Sequence, residues 1–109
     1  MEEQRKILYV SKYSHDINGM GSVKKIGKTI DIVGRMKKLT IGPVKTVTVA
    51  TYIGESALID KFEKDLHDTF SEFRVEGEWF RDDDNIIVDF IDHQIKKLKK
   101  FGLDIKKQK

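Results

Sequence analysis

The pattern of apolar and polar residues predicts a small α+β domain, a three-stranded antiparallel sheet flanked by helices in the order β-β-α-β-α-(β)-α. Three observations carry it. Two β-branched and aromatic runs bracket a glycine-containing loop, a Val- and Thr-rich run follows Gly42-Pro43, and two later stretches repeat apolar residues at helical spacing.

Lys6 to Tyr13 alternates Ile7, Tyr9 and Ser11 against Leu8, Val10 and Lys12, which reads as a strand. Ser14 to Gly21 is turn chemistry and predicts the loop of a hairpin, with Val23 to Gly27 as the returning strand and a turn over Lys28-Thr29. Asp31 to Leu39 then sets Ile32, Met36 and Leu39 on one helical face. Gly42-Pro43 ends that helix and opens a strand over Val44 to Ile53, whose threonines are β-branched and fit a pleat. From Ser56, expected as N-cap, to about Phe70 the apolar positions Ile59, Phe62, Leu66 and Phe70 form the best helix of the chain. Phe73, Val75, Trp79 and Phe80 give bulk to an irregular or strand-like stretch. Asp82, Asp83 and Asp84 then lead into a last helix carrying Ile87, Phe90, Ile91, Ile95 and Leu98.

At 109 residues the chain is expected to be one domain, 1–109, with a basic tail from about 100 to 109. Cysteine is absent, which excludes disulfides and thiolate zinc. No apolar run approaches the length of a membrane span and the N-terminus is acidic and polar, so a cytoplasmic location is expected. The net charge of +3 hides a segregation. Lys and Arg against Asp and Glu number 10 and 4 over residues 1–50, 4 and 13 over 51–92, and 7 and 1 over 93–109. Two basic ends around an acidic middle point to a polyanion-binding face, although the tail lysines also suit a helix end.

Gly27-Lys28-Thr29 is not the end of a nucleotide-hydrolase phosphate loop, because Ser22 stands where the first glycine of that loop is needed. The order of Leu8-Tyr9-Val10, a glycine-containing loop, Lys25-Ile26-Gly27, Arg35 and then Glu63 on a later helix resembles the GIY-YIG endonuclease superfamily. Lys-Ile-Gly-Lys-Thr, Phe62-Glu63-Lys64-Asp65-Leu66-His67 and Gly77-Glu78-Trp79-Phe80 are similar to its phage and virus branch, in which lysine replaces the tyrosine of the second motif. The likeness spans about residues 6 to 92. It implies a nuclease or nuclease-derived DNA-binding module, of viral or host-cytoplasmic setting.

Under that resemblance Tyr9, Lys25, Arg35 and Glu63 are the catalytic candidates, and Lys24, Lys28, Thr29 and His67 are candidates for substrate binding. Glu63 would hold Mg²⁺ or Mn²⁺; its alternative is an ion pair with Lys25, Lys28 or Arg35. Arg35 offers a planar fork to two phosphate oxygens. Tyr9 would position the attacking water. Lys25 either serves as general base or grips phosphate. His67, one turn after Glu63, either bonds the carboxylate or scissile phosphate or is a satisfied core histidine. Asn85 is open between a late site asparagine and a helix cap. The expected function is a metal-dependent DNA endonuclease making one nick per active site, as a monomer or a transient dimer on DNA. A catalytically inert DNA-binding module of the same fold is the alternative.

Overall fold

The computed structural model describes residues 4–13, 23–39 and 45–108. The hairpin loop read over Ser14 to Gly21 and the Gly42-Pro43 stop lie outside these residues. In chain order the elements are β1 (Arg5–Tyr13), β2 (Val23–Thr29), α1 (Ile32–Leu39), β3 (Thr46–Glu55), α2 (Ser56–Thr69), β4 (Arg74–Glu76), β5 (Trp79–Arg81), α3 (Ile86–Lys100) and β6 (Ile105–Gln108), with a 3₁₀ turn over Ser71–Phe73.

The class is α+β, as the periodicity predicts, but the three-stranded sheet is corrected to six strands, all antiparallel, in the order β4-β5-β2-β1-β3-β6. The three strands that sequence alone picks out are the central ones. The added strands have three or four residues each, too few to show an alternation; β5 and β6 form on free edges of the longer β2 and β3, and β4 adds to β5. β2 also runs on through Thr29, paired with Ile7, where a turn over Lys28-Thr29 is expected.

Register sorts the side chains. Val10 faces Ile26 and Ala50 across β1, while Tyr9 faces Gly27 and Thr51, so Leu8, Val10, Ile26, Ala50 and Tyr52 occupy one side of the sheet and Tyr9 the other. The first side packs against Ile59, Phe62 and Leu66 of α2 and Ile87 and Ile91 of α3, which form one continuous core. α1 buries none of its residues fully.

Two helix ends matter for placement. α2 starts at Ser56 without a side-chain cap; the Ser56 N–H instead donates to the Gln4 carbonyl at 2.8 Å, which ties the helix start to the strand start. α3 is capped from upstream, since Asp82 Oδ1 accepts from the N–H groups of Ile86 at 2.7 Å and Ile87 at 3.3 Å. It ends with Gly102 at φ +80°, the Gly102 N–H on Lys99 O and the Leu103 N–H on Leu98 O, both 3.1 Å. Only glycine takes that φ without steric cost, and the reversal sends the chain back along β3 as β6. The basic tail is therefore a paired strand anchored by buried Ile105, with Lys107 on Asp92 at 2.9 Å. Among the described residues no helix is long and apolar enough to cross a membrane.

Candidate functional site

The site grows from a gap in the sheet. β5 pairs with β2 from Val23 only as far as Lys25, and the Ile26 N–H makes one more bond, to Glu78 O at 3.0 Å. Beyond that point the outer edge of β2 has no strand partner among the described residues. His67 of α2 takes over, its Nε2 lying 2.9 Å from the Ile26 carbonyl. A carbonyl only accepts, so Nε2 carries a hydrogen, and in the neutral ring that leaves the lone pair on Nδ1.

On the side of the sheet away from the core, Arg35 reaches back from α1, and its Nε donates to the Tyr9 hydroxyl at 3.2 Å. Gly27 permits this, because a Cβ there would overlap the Tyr9 hydroxyl and ring. The hydrogen bond from Arg35 to Tyr9 is the first cause that raises the guanidinium pKa, and the negative charges of Glu78 and Glu63 add to it. Tyr9 has no exposed surface.

On the other side Glu63 is 8% exposed, and its Oε2 is buried without a hydrogen-bond partner. Burial pushes its carboxyl above the ordinary glutamate value; the charge on His67 opposes that shift, and Glu78 reinforces it. Glu63, His67 and Glu78 each bring a ligand atom within 4.8 Å of the others, the arrangement by which side chains share a metal ion. Lys28 stands beside this group, 3.1 Å from Asp60 and 3.9 Å from Glu63, with its pKa raised first by the Asp60 bond. Lys25 holds Glu78 at 3.0 Å and lies over the Trp79 ring, which is stacked on Tyr13 at 4.5 Å. A cavity of about 480 Å³ opens here, lined by Tyr13, Lys25, Val75, Glu76, Gly77, Glu78 and Trp79.

Tyr9 and Arg35 therefore form one half of the site, and Glu63, His67 and Lys28 the other, joined around the edge of β2 through Glu78 and Lys25. Two residues read as substrate-binding are engaged elsewhere. Lys24, side chain 7% exposed, binds Asp82 at 3.2 Å and Asn85 at 2.9 Å at the start of α3. Thr29 spends its hydroxyl on the backbone of Asp31, accepting from its N–H at 3.1 Å, which turns the chain into α1. Asn85 sits at φ 55° as the residue before α3 and gives its carbonyl to Lys24.

The family model of the T5orf172 domain matches residues 6–100, which includes every residue of this site. The chain belongs to the T5orf172 domain family. This corrects the resemblance to the GIY-YIG superfamily read from the pattern of Tyr9, Gly27, Arg35 and Glu63, since the family model that matches is that of a different family. The physical reason is that much of this pattern is structural: Gly27 is required by the Tyr9 ring, and Arg35 by the Tyr9 hydroxyl. No curated protein and no solved structure matches the T5orf172 chain significantly. The residue missed by sequence reasoning is Glu78. Its one signal is an acid held between a turn glycine and the Trp79-Phe80 pair, in a run that reads as purely structural.

Proposed function

We propose that this T5orf172 domain is a divalent-metal-dependent DNA endonuclease that hydrolyses phosphodiester bonds, one nick per site. The observation that carries the reading is Glu63, a buried carboxylate with one oxygen left without a partner, set beside a second acid and a histidine. Fold packing gives no return for such a group, which costs about 1–3 kcal/mol when unsatisfied. A ligand that arrives later does.

In this reading Glu63 holds Mg²⁺ or Mn²⁺, which when bound supplies Lewis-acid polarisation of a phosphoryl oxygen. Arg35 commits Nε to Tyr9 and, among the described residues, keeps its terminal nitrogens for a phosphate. Tyr9, fully buried, acts as a positioning residue that fixes the guanidinium plane. Lys28 places a further cation at the rim, and Lys25 fixes Glu78. A strand of DNA lies along the Tyr13 and Trp79 cavity, and the exposed Lys12, Lys37 and Lys38 add positive charge to the molecule for backbone phosphates. Since one site cuts one strand, a double-strand break requires a second copy or a second encounter.

Nicking of supercoiled plasmid in Mn²⁺ or Mg²⁺ tests this, with Glu63→Ala and Arg35→Ala as controls. Wild type is expected to nick at least about 100-fold faster than either variant, the loss typical of one stabilising group. Equal rates overturn the enzyme.

One observation favours a second reading, a DNA-binding module without turnover: Tyr9 is buried and Lys25 is held by Glu78, so neither is poised as a base. That reading expects no nicking, with duplex affinity that falls steeply across a salt series. A flat salt response removes nucleic acid as the partner.

A further inference from the structure

We propose that Glu63, His67 and Glu78 form a three-ligand site that binds a first-row transition-metal ion in preference to Mg²⁺, clasping the β4–β5 hairpin to α2. This rests on the reading of Glu63 as a metal ligand and deepens it by naming the other ligands and the class of ion.

The three donors come from two separate parts of the fold, two from successive turns of α2 and one from the segment between Gly77 and β5, yet they lie within 4.8 Å of one another. Two ligands on opposite sides of an ion at 2.0–2.2 Å stand roughly 4.4 Å apart, so one ion spans the group with small side-chain adjustments. The partnerless Oε2 of Glu63, on a residue 8% exposed, is the independent sign of a missing occupant. His67 is already prepared as ligands usually are. Its Nε2–H is fixed on a backbone carbonyl at 2.9 Å, and its ring packs against Phe80 with centroids 5.1 Å apart, so Nδ1 is left as the ligand atom.

Glu78 gives Oε2 to Lys25 at 3.0 Å and retains its other oxygen. Its side chain is 36% exposed, which leaves the far side of the ion open to water or a phosphate oxygen. Two carboxylates and a neutral imidazole carry a formal charge of −2, matched to a divalent cation. The imidazole decides the class: Mg²⁺ favours all-oxygen, octahedral, hydrated sites, whereas nitrogen ligands raise affinity along the first transition row.

The test is Mn²⁺ binding to the full chain, freed of metal with EDTA and dialysed, followed by calorimetry and by pulsed electron paramagnetic resonance. Mn²⁺ is expected to bind at least about tenfold more tightly than Mg²⁺ and to show nitrogen modulation from a coordinated imidazole. Glu63→Gln, His67→Ala and Glu78→Gln are each expected to weaken Mn²⁺ binding by about 10–100-fold, and His67→Ala to remove the nitrogen modulation. Because His67 also holds Ile26, its variant can fail to fold; Glu78→Gln, at a partly exposed position, keeps the test decisive. Unchanged Mn²⁺ affinity in Glu78→Gln, or no nitrogen modulation in wild type, overturns the site. A wild type that shows the modulation but does not nick DNA upholds the metal site and ends the nuclease. Nicking equal in wild type, His67→Ala and Glu78→Gln, with Mn²⁺ affinity unchanged, ends the three-ligand site and keeps the nuclease.

Discussion

Replacing Glu63 by Gln separates a ligand from a structural ion pair, because the two roles give opposite signs of stability change in the metal-free protein. Glu63 Oε2 is buried without a partner; the charge on His67 opposes the burial without overcoming it, and Lys28, 3.9 Å from the other oxygen, is shared with Asp60 at 3.1 Å. Leaving a buried acceptor unpaired costs about 1–3 kcal/mol, more when it is charged. The Lys28 attraction is screened, since that side chain is 37% exposed, and returns about 0–1 kcal/mol. Burial wins. Glu63→Gln, with similar volume and no charge, is expected to stabilise the EDTA-treated protein by about 1 kcal/mol at pH 7, which raises the melting temperature by about 4–8 °C.

The pH dependence follows from the direction of the shift. A carboxyl whose pKa is raised by folding binds its proton more tightly in the native state, so stability is full below the unfolded value and falls as pH rises through the folded one. The advantage of Glu63→Gln should thus be small below the ordinary glutamate value and grow as pH rises above it. Circular dichroism melts of both proteins at pH 4, 5.5 and 7, with EDTA, measure it. A variant less stable than wild type at pH 7 would refute the reasoning and make Glu63 an anchor for Lys28.

Gly27→Ala places a methyl group against the Tyr9 ring and is expected to cost about 1–3 kcal/mol in urea denaturation, with loss of any nicking activity as Arg35 loses its support. Tyr9→Phe keeps the ring and removes only the bond to Arg35, so a stability loss of about 0.5–1.5 kcal/mol should accompany a larger fall in nicking rate at saturating DNA. Asp82→Ala strips both the main partner of buried Lys24 and the cap of α3; a loss of about 3–5 kcal/mol is expected, with DNA affinity of the folded protein unchanged in fluorescence anisotropy. Ile105→Ala should destabilise by about 2–5 kcal/mol in the same urea assay, whereas a dangling tail would give no change.

Much of the fold is legible in the chain because it is written in local periodicity. The alternation through Leu8, Tyr9 and Val10 and the helical recurrence of Ile59, Phe62 and Leu66 each follow from one face meeting a core, and that is visible within ten residues of sequence. The pairing of Tyr9 with Gly27 follows from the register of adjacent strands, and Arg35 returns from the helix that directly follows β2, although its bond to Tyr9 spans 26 residues.

The remainder depended on partners distant in sequence. Ile105 to Gln108 has one apolar residue and no pattern of its own; it becomes a strand because Gly102 reverses the chain beside the free edge of β3. Lys24 and Lys25 are adjacent cations in the sequence, but the pleat sends them to opposite sides of the sheet, one to a buried capping aspartate and the other to Glu78. Glu78 joined Glu63 and His67 only because β5 stops short along β2 and leaves a carbonyl for the histidine to hold. Residue identity set which groups can bind an ion or a phosphate; the length of one strand against its neighbour set which of them meet.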